Sequence, residues 1–260
     1  MRHLEFLIIA LIFIAALPGS GASDQAEDII RKMDYQLRGV ESSYGEFTMI
    51  VSKPRWKNPR VMKMKSWETR KTEKQPGRSF ILITEPAKES GKAFLKIGNQ
   101  MWAYFPDVNT TTKIPQSMMF EGWMGSDFSH GDLMHEGNIL NDYFCKIINR
   151  RMEAGQSIVA IELIPKPEAL ETWGKIMIEL RESDSIPLKE EFYNEKGKLV
   201  RTMIFEDIKD FGGKTLPAKW MVKSADKPME STTLLIETIQ FNLKIGDDIF
   251  TMENLKRGGK

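Results

Sequence analysis

The sequence holds a single cysteine, Cys145. One thiol makes no internal disulfide and no cysteine-based metal site, so stability must come from core packing. Flanked by Tyr143, Phe144, Ile147 and Ile148, it reads as a small buried apolar residue. Charge of one sign is also missing: 37 Lys and Arg face 36 Asp and Glu, for a net of +1. The two signs are interspersed, which argues against a nucleic-acid footprint. A mild basic run, Lys53 to Arg60, reads as a solvated hairpin. The chain has three histidines, no G-x-S-x-G elbow, no phosphate loop, no dinucleotide fingerprint and no zinc signature. After the N-terminus no segment is apolar enough to span a bilayer.

The N-terminal exception is short. Arg2 supplies a positive start, Phe6 to Leu17 is uncharged and apolar, and Pro18-Gly19 breaks the run. Ser20 and Ala22 then stand at the −3 and −1 positions of a signal-peptidase site. The pattern predicts a cleaved leader over residues 1–22, a mature chain of 23–260 and a periplasmic protein. A membrane anchor is the alternative, and it would need roughly 20 apolar residues. No cysteine lies near the cleavage site, so the protein is not itself lipidated there.

The mature part opens with a predicted helix. Asp24 and Glu27 have capping-box spacing, Ile30, Met33, Leu37 and Val40 recur at helical period, and Gly39 or Ser42-Ser43 ends it. The period then switches to two. Strands are expected at 45–53, 60–71, 78–85, 94–97, 100–105, 157–164, 175–181, 188–194, 199–207, 216–224 and 232–242. Short turns such as Gly98-Asn99 and Glu195-Lys196-Gly197 separate them. No βαβ alternation occurs. The reading is a single mainly β (α+β) domain: an incomplete antiparallel barrel of about eleven strands, closed by the N-terminal helix and short helices between Ser117 and Asn141.

Residues 101–144 are distinctive. An aromatic strand, Met101–Phe105, leads into a loop with Met118, Met119, Phe120, Trp123, Met124 and Phe128. Flexible thioethers and rings of this density suit an irregular apolar partner such as an acyl chain. They equally suit a plug of the barrel's own core. Asp127, His130, Asp132, His135 and Glu136 are the one tight cluster of potential metal ligands. Gly131 and Gly137 make that stretch loop-like, and Asp127 and Asp132 read more simply as helix caps. No metal and no cofactor is expected. Paired acids such as Glu190-Glu191 point to opposite sheet faces, so they do not form an acid/base pair. A hydrolase is the weaker reading, and it would depend on Asp127 or His130.

The segments W-A-Y-F-P, K-I-P and above all M-G-S-D-F-S-H-G-D-L, residues 124–133, resemble an uncharacterised branch of the LolA/LolB-like outer-membrane lipoprotein-sorting family. The closing Ile249-Phe250-Thr251 with Leu255 resembles that family too. The resemblance implies an open barrel whose groove holds lipoprotein acyl chains or another lipid. Because an acyl chain is equally stable in a bilayer, a donor is needed, and an inner-membrane ABC-type exporter and an outer-membrane acceptor are the expected partners of a monomer, with no nucleic acid. In LolA a strand arginine holds the lid closed; by region Arg60, Arg70 and Arg78 are the candidates here. The expected groove lining is Phe47, Met49, Met62, Met64, Phe80, Leu82, Trp102, Tyr104, Met118, Met119, Phe120, Trp123, Met124 and Phe128. A slip of one residue on any strand would turn its set to the other face. A non-enzymatic envelope regulatory or protein-binding module of the same fold is the alternative.

Overall fold

A computed structural model describes residues 20–39, 41–133, 139–169 and 173–258. Helix α1 (Ser20–Arg38) comes first, followed by a run of six strands: β1 (Ser42–Ser52), β2 (Arg60–Thr69), β3 (Arg78–Glu85), β4 (Ala93–Ile97), β5 (Gln100–Phe105) and β6 (Thr110–Ile114). A connecting segment, 115–142, carries two 3-10 turns and the short helices α2 (His130–Leu133) and α3 (Ile139–Asp142). Seven strands follow: β7 (Tyr143–Glu153), β8 (Gln156–Pro165), β9 (Lys175–Arg181), β10 (Ile186–Tyr193), β11 (Leu199–Asp210), β12 (Thr215–Ser224) and β13 (Ser231–Phe241). A 3-10 turn and α4 (Met252–Lys256) close the described chain.

All the strands form one antiparallel sheet in the order β6-β5-β4-β3-β2-β1-β13-β12-β11-β10-β9-β8-β7. Every pairing but one joins neighbours in sequence. The exception is the seam where β1 meets β13, with Ser52 opposite Ser231 and Ser43 opposite Phe241. The free edges, β6 and β7, do not pair, so the sheet stays open. The described sheet has 13 strands rather than about eleven. The two additions are the edges themselves: β6 is Thr-Thr-Thr-Lys-Ile, and β7 turns polar over its second half. An edge strand has only one neighbour to satisfy, so its apolar alternation is weak.

One buried cluster unites Met49, Met62, Met64, Ile81, Ile83 and Phe94 with Ile161, Ile178 and Met203 from the far half of the sheet, and with Ile30 and Met33 of α1. Strands from both halves share this inner core, so the sheet curls around it. Helix α1 buries Ala26, Ile29, Ile30 and Met33 there and packs against β7 and α3. The helix runs from Ser20, which puts Asp24 inside it rather than at its cap. Gly39 ends it with a φ of 78°, a value that costs glycine little. Val40 and residues 1–19 of the expected leader over 1–22 lie outside the described residues.

The opposite face of β3–β5 carries a second cluster, Phe80, Ala93, Leu95 and Tyr104, covered by Phe250 and Leu255 of the C-terminal segment. Thr251 caps α4, its Oγ1 accepting from the Asn254 N–H at 3.1 Å. Arg78 ties the segment down, pairing with Asp247 at 2.7 Å and lying over the Phe250 ring at 4.5 Å. Among the described residues no helix is long and apolar enough to cross a membrane.

Candidate functional site: an apolar interior under a pinned lid

Between the edge strands β6 and β7, the described residues 115–133 lie against the inner core. Trp123 and Phe128 are the anchors of this lid, both buried in that core, and Trp123 packs on Phe94 with ring centroids 5.1 Å apart. Between them the chain makes a tight reversal. Met124 takes a φ of 51° and Gly125 one of 71°, the Trp123 N–H donates to the Phe128 carbonyl at 2.7 Å, and Ser126 Oγ donates to the same carbonyl at 3.2 Å.

Three polar pins hold this reversal to the sheet. Arg60, at the start of β2, donates to the Met124 carbonyl. Thr232 of β13, fully buried, donates to Asp127 Oδ2 at 2.7 Å and accepts from the Asp127 N–H at 2.9 Å. Arg201 of β11 donates to both carboxylate oxygens of Asp132, one of them at 2.6 Å. Asp132 is itself fixed by a capping box: the Ser129 N–H donates to Asp132 Oδ2 at 2.7 Å, and the Asp132 N–H donates to Ser129 Oγ at 3.2 Å. The M-G-S-D-F-S-H-G-D-L block thus supplies the reversal and one partner of each fastening, and Arg60, Thr232 and Arg201 supply the other.

The Arg201 pin is built into the interior. Its guanidinium lies over Phe192 at 4.2 Å and over Trp173 at 5.0 Å, and Trp173 packs edge-on against Phe120 of the lid. Burial pushes the Asp132 carboxyl up, but Arg201 and the Ser129 hydrogen bonds outweigh it and hold the group below the usual carboxylate range. Glu190 faces the same space from β10. It pairs with Met203 and is therefore a diagonal neighbour of Arg201. Burial, and then the Asp132 carboxylate, push Glu190 up to about 7 against the pull of Arg201 and Arg38. Trp123 Nε1, His130 Nδ1 and the Nε of both Arg60 and Arg201 are buried with no hydrogen-bonding partner. Polar atoms so placed are uncommon in a finished core.

Of the expected lining, Met49, Met62, Met64, Trp123 and Phe128 are buried in the inner core, with Phe47, Met119 and Met124 packed against it. Met118 and Phe120 lie on the lid, each 41% exposed. Phe80, Leu82, Trp102 and Tyr104 belong to the outer cluster under the C-terminal segment. The register carries Ile81, Ile83, Met101 and Ala103 inward in their place. Of the three candidate arginines, Arg60 touches the lid, Arg70 pairs with Asp34 of α1, and Arg78 holds the C-terminal segment. Arg201, Glu190, Thr232 and Trp173 were not in the expected set. The legible signal for Arg201 and Glu190 is parity: each is a charge in the inward register of an otherwise apolar strand, beside Met203 and Phe205 and beside Phe192.

The candidate reactive groups among the described residues are shifted by burial or already engaged. Burial pushes the Cys145 thiol up to about 12, far from a thiolate nucleophile at neutral pH. Burial also lowers the His130 imidazole, which favours its neutral form. Asp127 and Asp132 are taken by Thr232 and Arg201. Among the described residues no three His, Cys, Asp or Glu come together as a metal-ligand set. His135 and Glu136 lie outside those residues.

A family model described as "uncharacterized protein" matches residues 76–257. The chain belongs to that family. No curated protein matches it. Among solved structures, it is similar to a domain from Vibrio parahaemolyticus provisionally described as an outer membrane lipoprotein-sorting protein, at 20% identity and a TM-score of 0.77 over 90% of this chain and 100% of that one. A DUF1329 family protein from Desulfovibrio piger gives 18% identity and a TM-score of 0.80 over 90% and 99%. A LolA superfamily protein from Nitrosomonas europaea gives 22% identity and a TM-score of 0.73 over 88% and 99%. The fold is thus the LolA-like one: mainly β, antiparallel, incompletely closed and covered by few helices.

Proposed function

We propose that this protein is a non-enzymatic periplasmic carrier that shelters the acyl chains of a lipoprotein, or of another lipid, in its inner apolar space. The observation that supports this most is the lid. A stretch rich in methionine and aromatic residues covers an apolar core, yet it is fastened by polar contacts to three separate strands. Such fastenings are exchangeable: each partner can trade its bond for water or for a cargo's polar end. Freed of them, the lid uncovers Met49, Met62 and Met64 together with its own Trp123 and Phe128. Burying each methylene of a chain there contributes about 0.8 kcal/mol, and a long chain on the order of 10 kcal/mol before ordering costs. The same chain is equally stable in a bilayer, so loading needs a donor. An inner-membrane ABC-type exporter and an outer-membrane acceptor fit those two roles.

Native mass spectrometry of the protein purified from a periplasmic extract without detergent tests the reading. A bound mass that extracts as a phospholipid or an acylated peptide is expected. A clean apo mass, with no uptake from liposomes or from a triacylated lipopeptide, overturns it.

A further inference from the structure

The basic run from Lys53 to Arg60 does not stand alone. It forms the tip between β1 and β2, and the seam places it beside the tip between β12 and β13, because Ser52 pairs with Ser231. Lys53 and Glu230 join the two tips at 3.4 Å. The tip between β10 and β11 lies next along this end, where the Ala225 N–H donates to the Val200 carbonyl at 2.8 Å and Arg201 pairs with Ser224. Residues 53–60, 194–198 and 223–230 hold eight Lys and Arg against three acids, in a chain whose net charge is +1. Arg55, Lys57, Lys196, Lys198, Lys223 and Lys227 are exposed.

Two large apolar side chains stand among these cations. Trp56 is 37% exposed and Met229, on the adjacent tip, is 77% exposed. The Trp56 ring has Lys53 Nζ 5.4 Å and the Arg60 guanidinium 5.9 Å from its centroid. A purely solvated hairpin needs neither an outward tryptophan nor a methionine on the neighbouring tip. An indole at the polar–apolar boundary, with lysine and arginine stems around it, is the chemistry of a membrane interface. Tips that present side chains outward fit an extended surface, and the excess positive charge selects an anionic one. The same end carries two of the lid pins, Arg60 to Met124 and Thr232 to Asp127.

We propose that this rim docks the protein onto an anionic phospholipid surface, with Trp56 and Met229 entering the interface and the surrounding cations holding lipid headgroups. Docking brings the pinned end of the lid to the bilayer. The inference does not depend on what the interior carries.

The test is co-sedimentation of the exported protein with vesicles of phosphatidylcholine alone and of phosphatidylcholine with about one third phosphatidylglycerol. The protein is expected to bind the second and not the first, and to be released by about 0.5 M salt. Arg55→Glu with Lys57→Glu should weaken that binding at least about tenfold, and Trp56→Ala with Met229→Ser about tenfold. All four positions are exposed, so melting midpoints should not move. Any retained leader would be common to all the proteins and would not produce a difference between them. Uptake of a detergent-dispersed acyl probe should be unchanged by Arg55→Glu with Lys57→Glu, so failed docking and failed cargo binding are separable. Equal binding by wild type and variants, or no binding to anionic vesicles, overturns the proposal. Retention of the protein on an acidic partner protein, with no vesicle binding, overturns it in favour of a protein-facing rim.

Discussion

The sheet has two covered faces, and the covers differ. The outer cluster lies under residues 245–255, which contribute Ile245, Ile249, Phe250 and Leu255, with an ion pair between Arg78 and Asp247 beside them. The inner core lies under the lid, which is anchored in it by Trp123 and Phe128 and is also bonded to Arg60, Thr232 and Arg201. Apolar contact is non-directional and has no alternative partner in water, and the outer cover rests mainly on it. Directed bonds between buried charges are strong only while both members are present. One cover rests mainly on apolar contact, and the other adds directed bonds to three strands.

Four substitutions sharpen or break this contrast. The largest effect should come from the outer cover: Phe250→Ala, at 4% exposure, should cost about 3 to 5 kcal/mol of global stability and leave acyl-probe uptake unchanged. Denaturant melts and uptake assays on the same samples check this, and faster uptake would erase the distinction between the covers. Next, Asp132→Asn leaves Arg201 buried without its counter-charge and should cost roughly 3 kcal/mol. Here the loss should be local, seen as faster hydrogen exchange across residues 123–133 and faster probe uptake. Because the folded Asp132 carboxyl is held low, its contribution is present at neutral pH and lost as pH falls through the folded value.

A smaller effect should come from Glu190→Gln. The folded carboxyl titrates near 7, above its unfolded value. Its contribution is therefore complete below the unfolded value and falls away as pH rises towards 7. Thermal midpoints of the wild type should decline over that window. The glutamine variant should lose this slope and be the more stable by roughly 1 to 3 kcal/mol at pH 8. An unchanged slope would mean that Glu190 does not titrate in the folded interior. Smallest of all, Thr232→Val keeps the shape and deletes one hydrogen-bonding hydroxyl, for about 1 to 2 kcal/mol. Exchange should quicken around Asp127 and not around Asp132.

The contrast also explains what could be read from the sequence. Where one sheet face is bare, as in β2 with Met62 and Met64 alternating with Lys63 and Lys65, parity is legible and both methionines face inward. Where the C-terminal segment covers the other face, alternation disappears. Phe80, Ile81, Leu82 and Ile83 are all apolar because two clusters need them, so no pattern tells inward from outward. The expected lining fails on β3 and β5 for that reason. The lid segment was legible as a unit from its composition. Its fastenings were not, because Arg201 and Thr232 lie 69 and 105 residues from the carboxylates they hold. Only folding the meander brings them together.

The seam between β1 and β13 sets the order in which the protein is completed. Residues 42–52 are made early, yet one side of β1 has no partner until residues 231–241 exist. Until those residues are made, the strand that carries Phe47, Met49 and Val51 has an unpaired backbone edge, the kind that recruits other strands. Closure across so long a loop is slow relative to local hairpins. The newly made chain therefore passes through a stage in which one edge of β1 is open to other strands, and β13 is the piece that ends it.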